Sequence, residues 1–255
     1  MFEDSFVAKA RENGMAATCC ASYEDYEALL GRDPAEQKLF NDSLRVNYSE
    51  FFRNSLTFST LEHIILPTLI RKAREENRRE LRIWSAGCAL GQEPYSVAIL
   101  IEELGKIAVP PIDYRIFATD LSMVDIAAAH AGCYSAESLG NISGKRLDRW
   151  FSHKNSVYTI SPELTSHIEF SAFDLLDAQL SSPPSSIFGG FDLILCCNLL
   201  FYYKPEYRKS ILDKLILSLG REAYLVCGET ERGYIIENGF REVYLQSAIF
   251  KPTNV

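Results

Sequence analysis

From Leu81 onward, short apolar runs rich in Val, Ile, Phe and Tyr alternate with longer segments of helical periodicity, and this alternation is what most constrains the fold. Parallel strands need crossover connections, and helices laid on both faces of a sheet supply them. Strands are expected near 81–86, 114–119, 167–171, 191–197, 222–228, 240–245 and 247–252, and helices near 93–104, 122–131, 143–151 and 205–219. Several boundaries carry their own chemistry. Pro94 and Pro205 suit first-turn positions, Ser122 can cap a helix that has Asp125 three residues on, and Gly132 suits a helix stop. The last two strands have almost nothing between them, which predicts a terminal hairpin with one strand antiparallel to the rest. The stretch around 133–166 is too long for a plain crossover, and Val157–Ile160 followed by Ser161-Pro162 predicts a small antiparallel excursion there.

Residues 1–45 are polar and mixed, with weak helical periodicity at Tyr23–Leu30 and again before Phe40; they predict two short helices ahead of a main domain spanning 46–255. Ser59 and Glu62 have the spacing of a capping box, which predicts a helix start that Pro67 kinks or restarts. With 255 residues, one large core and a small appendage is the expected organisation. The longest apolar runs, such as Val97–Ile101 and Leu193–Cys197, fall far short of the roughly 18 to 20 residues of a membrane span. Met1–Asn13 lacks the uninterrupted apolar stretch of a signal peptide, so a cytoplasmic location is expected. A net charge of -8 disfavours a nucleic-acid partner held through its phosphates. The adjacent pairs Cys19-Cys20 and Cys196-Cys197 lack the spacing of zinc knuckles; no metal site is expected, and the seven cysteines read as reduced, mostly buried thiols.

Open α/β sheets bind ligands beyond the carboxyl ends of their strands. After the first strand comes Ser85-Ala86-Gly87-Cys88-Ala89-Leu90-Gly91-Gln92-Glu93-Pro94, in which Gly87 and Gly91 let the backbone pass close to a ligand. The loop has neither a Walker lysine nor the third glycine of a dinucleotide fingerprint, and Glu93 would repel a pyrophosphate. A carboxylate there suits a cationic cofactor, such as the ammonium or sulfonium of S-adenosylmethionine (SAM). Asp120 ends the second strand, where it can accept hydrogen bonds from ribose hydroxyls or cap the next helix. Asp174 follows the third strand and Asn198 the fourth, each within reach of the same cleft.

Taken together, Val46-Asn47-Tyr48-Ser49-Glu50-Phe51-Phe52-Arg53, Ile83-Trp84-Ser85-Ala86-Gly87-Cys88, Gly91-Gln92-Glu93-Pro94-Tyr95-Ser96 and Ala118-Thr119-Asp120-Leu121 form a pattern. With Gly132-Cys133-Tyr134, Asp174-Leu175-Leu176 and Asn198-Leu199-Leu200-Phe201-Tyr202-Tyr203, it resembles the CheR-type chemotaxis-receptor glutamate methyltransferases over roughly residues 44–252. The resemblance implies a class I SAM-dependent methyltransferase fold: a Rossmann-like, mostly parallel seven-stranded sheet. It implies SAM as cofactor and a protein substrate, a chemoreceptor cytoplasmic domain methylated on glutamate. Position by position, it implies cofactor contacts at Asn47, Ser49, Arg53, Gly87, Glu93, Asp120, Asp174, Leu175, Asn198 and Leu199, with Arg53 and Tyr202 beside the reacting atoms.

Three features depart from the family pattern. Cys197 stands where arginine is usual, Asp174 where asparagine is usual, and the 45 residues ahead of the first motif imply a reduced version of the family's basic, receptor-docking helical domain. A different protein or small-molecule acceptor, or a SAM-binding module without turnover, are the alternatives. Methyl transfer to a carboxylate calls for orienting groups more than for a general base, because the nucleophile is already ionised near neutral pH. His63, His130, His153 and His167 lie outside the motifs and are read as structural or surface residues.

Overall fold

The computed structural model describes residues 1–44, 49–105, 112–186 and 190–253. The chain begins with helices α1 (Asp4–Thr18), α2 (Tyr23–Arg32) and α3 (Pro34–Ser43), followed by α4 (Ser55–Thr60), which runs through a π-helical turn (Leu61–Ile65) into α5 (Leu66–Glu75). Strands and helices then alternate: β1 (Glu80–Ala86), α6 (Gln92–Gly105), β2 (Asp113–Asp120), α7 (Met123–Ala131), β3 (Cys133–Ser135), α8 (Gly144–Trp150), β4 (Phe151–Lys154) and β5 (Val157–Ile160). They continue with α9 (Pro162–Thr165), β6 (Ile168–Ala172), β7 (Phe191–Cys196), α10 (Pro205–Ser218), β8 (Leu219–Cys227), α11 (Arg232–Glu237), β9 (Phe240–Glu242) and β10 (Ile249–Pro252).

The main sheet has the order β6-β2-β1-β7-β8-β10-β9, parallel except for β10, which runs antiparallel to both neighbours. The expected excursion is a three-stranded antiparallel sheet, β3-β5-β4. Side chains alternate across the main sheet. Leu81 and Ile83 of β1, Leu193 and Leu195 of β7, and Tyr224 and Val226 of β8 face one core, with α5 and α6. Trp84, Ile194, Cys196, Leu225 and Cys227 face the other, under α10 and α11. Strands buried on both faces are what a near-continuous apolar run produces. Helix α6, buried from Pro94 to Ile101, lies inside the layer; α5 buries only Leu66, Leu69, Ile70 and Ala73, a stripe at helical spacing.

The expected caps at Ser122 and Gly132 are present: Asp125 N donates to Ser122 Oγ at 3.2 Å, and Gly132 ends α7 at φ 60°. Ser59 is not a helix start. The helix begins four residues earlier, capped by Asn54, whose side chain accepts from Thr57 N. Pro67 has no N–H and its ring would strike the carbonyl four residues back; the wider π turn just before it lets the chain stay helical, which is why no break follows. Buried cysteines are Cys88, Cys196 and Cys227, whereas Cys19 and Cys133 are exposed, so burial is less general than expected.

At the N-terminus, three helices replace the expected two. Helix α1 buries only Ala10, so it leaves almost no periodic apolar signal in the sequence. Tyr26 is buried among these helices and donates its hydroxyl to Glu36 at 2.7 Å. The segment is tied to the start of α10: Glu3 N donates to Tyr202 O at 2.8 Å, Lys204 N to Met1 O at 3.0 Å, and Lys204 Nζ pairs with Asp4 at 2.7 Å. The boundary expected at 45/46 lies outside the described residues.

Candidate functional site

Strands β2, β1, β7 and β8 are consecutive in the sheet, so the loops leaving their carboxyl ends crowd into one place. The loop after β1 is tied to the end of β2: Gly87 N and Cys88 N both donate to Thr119 O, and Ala89 N donates to Asp120 Oδ2 at 3.0 Å. Asp120 Oδ1 accepts from Ser122 N at 2.9 Å, so this carboxylate fixes two turns while facing the cleft. The loop after β7 reverses at Asn198, which adopts φ 58°.

Two cavities meet over these loops and share Gly87, Asp120 and Leu199. One, of about 250 Å³, is bordered by Ser49, Arg53, Glu93, Cys197 and Asn198. The other, of about 480 Å³, lies between Leu121, Met123, Phe173, Leu175, Tyr202 and Tyr203. The first is therefore the more polar half and the second the more apolar one. Gly87, at φ 82°, is required where they join: a Cβ there would stand 2.9 Å from Leu199 Cδ2.

Arg53 is the one cationic side chain among the described residues lining the polar half. Burial pushes the Glu93 carboxyl up, while hydrogen bonds from Ser85 Oγ (2.7 Å) and the Cys197 thiol, and the charge of Arg53, pull it down. Burial also raises Asp120, against the bonds from Ser122 and Ala89. Buried carboxylates facing a cavity with a single cation favour a positively charged ligand over an anionic one. Tyr202 is raised by burial and lowered by Arg53, whose charge is felt across the junction of the two halves.

The structure brings together Ser49, Arg53, Gly87, Glu93, Asp120, Asn198 and Leu199 around the polar half and its junction, and Asp174, Leu175 and Tyr202 around the apolar half. Asn47 lies outside the described residues. Asp174 is exposed, and its Oδ1 accepts from Leu176 N at 2.8 Å, which spends part of its capacity on a local turn. Tyr202 turns its ring against Phe6 of α1, with centroids 4.7 Å apart. None of the four histidines borders either cavity.

Sequence reasoning missed two groups. Phe2, Asn41 and Leu44 wall the apolar half from the N-terminal segment, a tertiary contact with no local signature. Glu231 and the Gly228–Thr230 turn follow β8, the fifth parallel strand, whose end obeys the same rule as the other four.

Residues 47–249 match the model of the CheR methyltransferase, SAM binding domain. The chain belongs to the CheR methyltransferase family. It is similar to chemotaxis protein methyltransferase 1 of Pseudomonas aeruginosa, at 35% identity over 194 residues that cover 74% of this chain and 68% of the relative. It is also similar to the chemotaxis protein methyltransferases of Listeria monocytogenes (34%, covering 83% of this chain and 75% of the relative) and Salmonella typhimurium (29%, covering 78% and 65%). As a CheR-family SAM-binding domain, the chain is a SAM-dependent methyltransferase with SAM as its cofactor. The two-part cleft fits that group: an apolar slot for a heteroaromatic ring, an acid at the junction, and carboxylates with amide groups at the polar end.

Proposed function

We propose that the protein transfers a methyl group from SAM to glutamate side chains of a chemoreceptor cytoplasmic domain, in the cytoplasm. The observation that carries this reading is the placement of Arg53, the one cationic side chain among the described lining residues, in a cavity that Glu93, Cys197 and Asn198 also border, continuous with the apolar slot at Gly87 and Leu199. A carboxylate nucleophile needs one cation to orient it and no base to deprotonate it. The names of the three relatives, all chemotaxis protein methyltransferases, support the receptor as acceptor.

In this reading Asp120 accepts hydrogen bonds from the ribose hydroxyls. Leu175, Leu199 and Tyr203 enclose the adenine, and Asp174 lies at its outer edge. Ser49, Glu93 and Asn198 hold the amino-acid end, and the family resemblance adds Asn47 as a cofactor contact. When bound, SAM supplies a methyl carbon made electrophilic by the positively charged sulfur. Arg53 holds the acceptor carboxylate in line, the Tyr202 hydroxyl borders the transfer path, and the apolar walls exclude water. Such positioning supplies several kcal/mol of barrier lowering.

The test is incubation with methyl-labelled SAM and cytoplasmic receptor fragments, followed by mapping of the label. A base-labile ester on glutamate is expected. A base-stable product, or no transfer by protein that binds S-adenosylhomocysteine, contradicts the reading.

A further inference from the structure

Glu231 is a glutamate with only 3% of its surface exposed, and its charge is met by main-chain N–H groups. Its Oε2 accepts from Gly228 N at 2.7 Å and from Asn198 N at 2.9 Å, and its Oε1 accepts from Leu200 N at 2.7 Å. The bond to Gly228 closes the glutamate's own turn. The other two reach across 33 and 31 residues of sequence to the loop that leaves β7.

That loop needs holding. Asn198 adopts φ 58°, a left-handed conformation that asparagine tolerates better than other residues with a Cβ but still adopts only as a minority state. Gly228, on the same turn as Glu231, is also fitted to it: a Cβ at Gly228 would stand 2.5 Å from Asn198 Nδ2. The turn after β8 thus meets Asn198 twice, once through a carboxylate and once through a missing side chain. What it steadies is the wall of the cleft, because Asn198 borders the polar half, Leu199 borders both halves, and the next turn carries Tyr202.

We propose that Glu231 is a positioning residue of the cofactor cleft, whose two bonds to the 198–200 main chain keep Asn198 left-handed and so set Asn198, Leu199 and Tyr202 against the cofactor. The inference rests on the cleft being the SAM site. A cap confined to its own turn would need only the Gly228 bond. Burial raises this carboxyl on balance, and the main-chain donors pull it part of the way back toward the ionised form.

Glu231→Gln keeps the size and one acceptor oxygen but turns an amide donor toward main-chain donors. Affinity for S-adenosylhomocysteine is measured by calorimetry on the full chain, alongside thermal unfolding and hydrogen exchange. The expected result is an affinity loss of about tenfold or more, the consequence of leaving one buried N–H unpaired. Exchange should quicken at 198–203 and stay slow in β7. Should Glu231→Gln fail to fold, Glu231→Asp, which keeps the charge and shortens the reach, is read in the same way. A folded variant that binds within about twofold of wild type, with unchanged exchange at 198–203, overturns the proposal. Wild-type protein that does not bind the product overturns the cofactor reading itself and this inference with it.

Discussion

Gly87 and Leu199 meet across the junction of the two cavities, with Leu199 Cδ2 only 2.9 Å from where a Cβ on Gly87 would lie. Gly87→Ala therefore carries two penalties: a backbone at φ 82° and an intrusion into the cleft. The variant should lose about 1–2 kcal/mol of stability in urea unfolding. It should also bind S-adenosylhomocysteine about tenfold or more weakly by calorimetry. Wild-type affinity would show that the ligand does not cross this point.

Asp120 combines a structural duty with the proposed ribose contact. Asp120→Ala strands Ala89 N and Ser122 N as well as removing the acceptor facing the cleft. Leaving buried donors unpaired costs about 1–3 kcal/mol each. Asp120→Asn retains one acceptor oxygen and so strands only one of the two donors; it should lose about 1–3 kcal/mol of stability, less than Asp120→Ala, while still losing cofactor affinity. If the Asp120→Asn variant binds as tightly as wild type, the ribose assignment is wrong.

Much of this site was legible from the rule that ligands gather beyond strand ends, because Gly87, Glu93, Asp120 and Asn198 each follow a run whose apolar pattern marks it as a strand. The central strands were legible for the same reason: β7 throughout, and β1, β2 and β8 toward their carboxyl ends, are buried on both faces, whereas the edge strands β6 and β9 are partly exposed. Local signals failed where tertiary structure decides. Helix α1 buries one alanine, so its helical nature hardly shows in its pattern, yet it brings Phe6 onto Tyr202 and the adjoining Phe2 into the apolar cavity. The π turn at Leu61–Ile65 satisfies Pro67 by widening the helix, which no capping pattern reveals. Glu231 could have been found by inspecting the end of the fifth strand.

The proposed roles of Arg53 and Tyr202 separate binding from chemistry. Arg53→Ala should lower kcat about 100-fold, the scale of a misplaced reacting group. Its affinity for S-adenosylhomocysteine should change far less. Tyr202→Phe keeps the ring that packs on Phe6 and removes only the hydroxyl, so a smaller loss in kcat with KM for SAM unchanged is expected. Single-turnover methyl transfer checks both. An affinity loss as large as the kcat loss would make Arg53 a cofactor ligand alone.

Three carboxyls near the cleft, those of Glu93, Asp120 and Glu231, are raised by burial above their ordinary values of 4.5, 3.8 and 4.5. Because the folded values exceed the unfolded ones, the folded protein holds more protons in the window between them, and their ionisation costs stability as pH rises through it. A cationic ligand responds in the opposite sense, since it is attracted to the ionised forms. Affinity for SAM should therefore rise with pH through that window, and Asp120→Asn should flatten part of the rise. Calorimetry from about pH 5 to about pH 8 measures it; tighter binding toward acid contradicts the assignment.

The N-terminal segment should behave as part of the apolar wall. Phe6→Ala removes a ring contact worth roughly 0.5–1.5 kcal/mol. Hydrogen exchange in α1 should quicken, and the affinity for S-adenosylhomocysteine should fall several-fold. Faster exchange with unchanged affinity would make the segment a neighbour of the cleft and not a part of it.

The central claim is that the loops beyond β1, β2, β7 and β8 enclose the cofactor, and a crystal structure with S-adenosylhomocysteine tests it most directly. Adenine is expected between Leu175, Leu199 and Tyr203, the ribose hydroxyls within hydrogen-bond reach of Asp120, and the amino group toward Glu93. Product bound elsewhere, or a cleft filled by the Asn198–Tyr202 loop, contradicts the account.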